Sequence, residues 1–85
     1  MSIKEMKIGV VYIVTQASKT GDFLVGERIK LLPDGDLMHL DLGAWMEAED
    51  LEDATEDMLV EIDKTWLTKK QNLLKEELEF LNSII

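Results

Sequence analysis

The chain has 85 residues, eighteen acidic and nine basic side chains, a net charge of −9 and no cysteine. That is one domain at most, without disulfides, thiolate metal sites or cysteine nucleophiles. The acidity argues against ordinary phosphate-backbone binding, which needs clustered Lys and Arg, so no direct nucleic-acid contact is expected.

A chain of this mass buries roughly 64% of its unfolded surface, enough for one core with little to spare. The first seven residues include three charged ones, Lys4, Glu5 and Lys7, and the "IGVVYIV" that follows is short and β-branched. It reads as a strand and not as a signal peptide. No apolar run approaches the roughly 18 residues of a membrane span. A cytoplasmic protein without a membrane partner is expected.

In chain order, "VVYIVTQ" (10–16) is a strand by residue type, and the polar "SKTGD" (18–22) is a loop. Ile29 and Leu31 then alternate with Arg28 and Lys30, and Met38, Leu40 and Leu42 with His39 and Asp41. Between them Pro33-Asp34-Gly35-Asp36 signals a turn, which makes the segment a β-hairpin. A three-residue loop with a glycine bulge suits the turn chemistry but sets Ile29 opposite His39. A four-residue loop pairs Leu31 with Met38 and Ile29 with Leu40, and leaves one face apolar. The second register is preferred, because a one-residue slip would turn the apolar set outward. "GAWMEA" (43–48) and "MLVEI" (58–62) are the remaining strands. Between them, "EAEDLEDATED" (47–57) has room for one or two helical turns, since Leu51, Ala54 and Met58 have helical spacing.

Asp63 is a good N-cap for a helix over about 64–84, a stretch free of Gly and Pro. Leu67, Leu74, Leu78, Leu81 and Ile85 lie on one seam, interrupted by Gln71. Trp66, Leu73 and Phe80 form a second line seven residues apart. The two lines cover about 160° of the helix, more than packing on one surface needs. One line can face the strands while the other meets a partner helix, so homo-oligomerisation through residues 63–85 is expected. The alternative is that both lines pack within one protomer.

The order of strand, polar loop, hairpin, strand, short turn and strand resembles a small SH3-like barrel. The residues that carry the likeness are Phe23-Leu-Val-Gly-Glu-Arg-Ile-Lys-Leu, Asp34-Gly-Asp-Leu, Trp45 and Leu51. The fold class implied is α+β: a small SH3-like antiparallel β-barrel over about 8–62, then one long C-terminal helix, in a single domain over 1–85. Size, acidity and layout are similar to small accessory and anti-defence proteins of bacteriophages. That likeness implies a non-enzymatic protein that binds a host factor.

The candidate chemistry points the same way. The one histidine has no nucleophile motif beside it, and the glycines form neither a phosphate-binding loop nor a dinucleotide fingerprint, so neither enzyme activity nor a cofactor is expected. The calcium-loop pattern is absent, and no specific metal site is expected. Residues 41–63 hold ten acids and no base, whereas 1–40 are balanced and 64–85 hold four bases and three acids. Glu47, Glu49, Asp50, Glu52, Asp53, Glu56 and Asp57 are therefore the candidate docking surface for a basic host protein, against the plainer reading of a solvated turn. Arg28, Lys30 and His39, on one expected hairpin face near Trp45, are the candidate contacts for an anionic nucleotide at an oligomer interface. The plainer reading there pairs Arg28 with Asp41. A third reading is a structural or assembly component without a ligand.

Overall fold

A computed structural model describes residues 1–85. Its five strands are β1 (Val11–Gln16), β2 (Arg28–Leu31), β3 (Leu37–His39), β4 (Ala44–Met46) and β5 (Leu59–Ile62). They form one antiparallel sheet in the order β4-β3-β2-β1-β5. A 3-10 turn at Ala48–Asp50 leads into α1 (Leu51–Ala54), and α2 (Lys64–Ile84) follows β5 directly. The α+β class is as expected, but the sheet does not close into the expected barrel. The edges β4 and β5 do not pair with each other. The N-terminus of the same chain occupies the free side of β5: Val60 N donates to Met1 O at 2.9 Å, Met1 N donates to Val60 O at 3.0 Å, and Ser2 bridges Leu59.

Strand alternation builds the core. Tyr12 and Val14 on β1, Ile29 on β2, Leu37 on β3 and Val60 on β5 share one face and are each under 2% exposed. Three segments cover that face: the N-terminus with Met6 and Ile3, the β1–β2 loop with Phe23, and the α1 region with Ala54 and Met58. Hydrogen bonds hold the cover down. Lys7 N donates to the Tyr12 hydroxyl at 2.9 Å, Phe23 N to Ser18 Oγ at 3.1 Å, and Thr20 Oγ1 to Ala54 O at 3.0 Å.

The hairpin adopts the three-residue loop. Ile29 pairs with His39, Lys30 with Met38 and Leu31 with Leu37. Leu32 N donates to Asp36 O at 2.8 Å, Gly35 sits at φ 91°, and Asp36 N donates to Asp34 Oδ1 at 3.0 Å. The preferred four-residue register is therefore corrected: local turn chemistry wins, and His39 is taken into the interior opposite Ile29. Leu40 and Leu42 then fall outside the strand, and Leu42 is exposed.

Asp63 caps α2 as expected, its Oδ1 accepting from Thr65 N and Trp66 N at 3.0 and 3.2 Å. Beyond Trp66, which is half-buried, every residue of the helix is exposed. About 27 Å of helix, from Leu67 to Ile84, thus projects from the sheet, and the molecule measures 53 × 23 × 23 Å. The alternative in which both apolar lines pack within one protomer is not what forms.

The left-handed Gly35 gives a direct check on the hairpin. A Cβ there would meet only Ala48 Cβ at 3.5 Å, so space is not limiting and backbone conformation is. Gly35→Ala should cost about 1–2 kcal/mol and lower Tm in a thermal melt by roughly 5–10 °C.

Candidate functional site

The acidic segment follows β4. Glu47, Glu49, Asp50, Glu52, Asp53, Glu56 and Asp57 are all exposed on the short helical turns. Of the seven only Asp57 has a basic partner, Lys19 Nζ at 2.7 Å, and that contact raises the Lys19 pKa. Carboxylate oxygens of Glu47, Glu49 and Asp50 come within 4.8 Å of one another. Asp36, from the hairpin turn, lies beside them, its Oδ1 accepting from Ala48 N at 3.0 Å. The Glu47 carboxyl is raised above its ordinary range, first by a hydrogen bond shared with Glu49, then by partial desolvation and the Asp36 and Asp50 charges. A search for calcium-loop spacing does not see this convergence. It arises at the 3-10 turn of Ala48–Asp50, where Glu47 and Asp50, three positions apart, lie on one side and Glu49 adjoins them.

Of the candidate anionic-ligand residues, Arg28, Lys30 and Trp45 share the outer face of the sheet by strand parity, and only His39 is on the other face. Arg28 is held by Asp41: its Nη2 and Nε donate to Asp41 Oδ1 at 2.9 and 3.3 Å, and its backbone N donates to Oδ2 at 3.1 Å. These bonds lower the Asp41 pKa and raise that of Arg28. His39 lies on the buried face with Ile29 and Leu37, not beside Arg28 and Lys30, which is the consequence of the corrected register. Lys30 and Trp45 each pair with Met38, on its two sides, and Trp45 is 67% exposed.

His39 has its own interior network. Leu42 N donates to Nδ1 at 3.2 Å, so the ring proton sits on Nε2, which donates to Glu27 Oε2 at 2.6 Å. The Phe23 ring stacks on the imidazole with centroids 6.2 Å apart. Phe23, Leu37, His39, Leu42 and Trp45 border a crevice of about 140 Å³. Sequence reasoning missed Glu27 and Phe23 as partners of His39. The signal was available: Glu27, two residues before Ile29, shares its strand parity and meets His39 once the three-residue loop is accepted. Ser18 and Ser83 bond to neighbouring polar groups, and neither bonds to the imidazole.

The seam residues Leu67, Leu74, Leu78 and Leu81 are all exposed on α2, as are Ile85 just past its end and Leu73 and Phe80 of the second line. Comparison of the chain with protein-family models, with curated proteins and with solved structures returns no match. No helix is long and apolar enough to cross a membrane.

Glu47 supplies a signed pH test. Its folded-state pKa is raised, so the folded chain holds that proton more tightly than the unfolded chain does. The ionised group therefore lowers stability at neutral pH, and that loss is recovered as pH falls through the raised pKa. Glu47→Gln should melt higher than the native protein at pH 7, and the gap should close on acidification. Melting curves between pH 7 and pH 4 check it.

Proposed function

We propose that the chain is a non-enzymatic binding protein that self-associates through α2 and presents the acidic segment of each copy to a basic protein. The observation that carries the reading is the exposure of every α2 residue from Leu67 onward, with apolar side chains on each turn except the polar stretch Thr68–Asn72. Fully burying one leucine is worth about 1.5–3 kcal/mol. A helix that leaves this many uncovered gains more from a partner than from its own sheet, and a second copy carries the matching seam.

The acidic segment supports the second half of the reading. Six of its seven acids lack a basic partner, and three crowd together at a cost that Glu47 registers. A basic partner would relieve that crowding, and the attraction would weaken with salt. We read the open sheet as an SH3-like barrel left unclosed, on the order of strand, loop, hairpin, strand, turn and strand. With the chain's size and acidity, this favours a phage-type accessory or anti-defence role toward a host factor. Nucleotide capture has less support, since Arg28 is engaged by Asp41 and His39 by Glu27.

Two measurements test the halves separately. Light scattering should give at least twice the 9.7 kDa chain mass, and Leu74→Glu or Leu81→Glu should return it toward one chain. A monomer at high concentration sinks the self-association half. Replacing Glu47, Glu49, Asp50, Glu52 and Asp53 together with their amides should abolish capture of a host protein while leaving the mass unchanged. Undiminished capture sinks the docking half.

A further inference from the structure

We propose that two copies pair through α2 in antiparallel orientation, with Lys70 of each copy against Glu77 of the other; this rests on the self-association reading above. In a heptad frame the seam places Lys64, Gln71, Leu78 and Ile85 at a, and Leu67, Leu74 and Leu81 at d. The positions flanking the seam are then Lys70, Glu77 and Ile84 on one side and Thr68, Lys75 and Asn82 on the other.

The orientation follows from charge. Lys64, Lys69 and Lys70 occupy the first half of the helix and Glu76, Glu77 and Glu79 the second, with Lys75 between them. A parallel pair sets Lys64 beside its own copy and Lys70 against Lys75 twice, with no attractive flanking pair. An antiparallel pair that layers Leu67 on Leu78 and Gln71 on Leu74 sets Lys70 against Glu77 twice and Lys75 against Thr68 twice. No like charges then face each other across the seam. Sliding this pair by one heptad layers Leu67 on Ile85 and Leu74 on Leu78, but brings Glu77 onto Glu77 and Lys75 onto Lys75. Oppositely directed helix dipoles add to the same preference.

The rest of the molecule agrees. Residues 1–63 carry fifteen acids against five bases, a net −10, all at the N-terminal end of α2. A parallel pair would hold two such bodies side by side. The antiparallel pair sends them to opposite ends of the helices. Trp66, Leu73 and Phe80 lie beyond Lys70 and Glu77 and are not used by this pair.

Sedimentation equilibrium of the full chain and three charge variants on the exposed helix decides it. Lys70→Glu and Glu77→Lys should each weaken association by about tenfold, since each turns two attractive pairs repulsive. Lys70→Glu combined with Glu77→Lys should restore it. Tighter association of Lys70→Glu would overturn the proposal in favour of a parallel pair, where that change meets Lys75. No change for either single variant would overturn it in favour of the shifted register. In both cases self-association stands. A native chain that stays monomeric at about 0.5 mM overturns the self-association reading itself, and leaves the seam to a different partner.

Discussion

The rest of the structure depends on how the one core-facing side of the sheet is covered. Five short strands offer a single apolar face, and three segments claim it. The N-terminal residues bring Met6 and Ile3, the β1–β2 loop brings Phe23, and the acidic connection brings Ala54 and Met58. Once these are seated, the core-facing side of the sheet has no apolar surface left to receive a 21-residue helix. α2 is thus left out of the core. In a chain with so few buried residues, a helix this apolar points outward to assembly.

His39 shows what the small core tolerates. The three-residue turn forces a polar ring into the interior opposite Ile29, and the interior accepts it because every polar atom of the ring is bonded. A buried hydrogen bond contributes little net stability, but an unmade one costs about 1–3 kcal/mol. Glu27 and the Leu42 backbone remove that cost. The price of the turn is therefore met locally, and Phe23 closes over the ring.

Legibility in the sequence divides along the same line. All five strands, the helical turn near Leu51 and the long helix with its Asp63 cap could be read, because each is written in local pattern. Two features could not. The hairpin register required weighing turn geometry against apolar alternation, and alternation gave the wrong answer because it counts His39 as outward. The open sheet required knowing that residues 1–2 occupy the outer side of β5, a contact between residues 59 positions apart. At the candidate sites, the exposure of the acids was legible from composition. The convergence of Glu47, Glu49 and Asp50 was not, since it depends on the local geometry of the turn at Ala48–Asp50.

Charge then ties the helix to the body it projects from. The acidic excess sits entirely before Lys64, and the Debye length at physiological salt is about 8 Å. Bodies about 23 Å across, held side by side, bring many carboxylates within that range. Bodies at opposite ends of helices roughly 30 Å long do not. The same acids that crowd at Glu47 therefore act twice. In the proposed assembly they offer a surface to a basic partner, and they favour the arrangement in which the lysine half of one helix meets the glutamate half of the other. An assembly of this kind holds two acidic surfaces far apart and facing outward, which suits engaging two basic sites at once better than enclosing a small ligand between subunits.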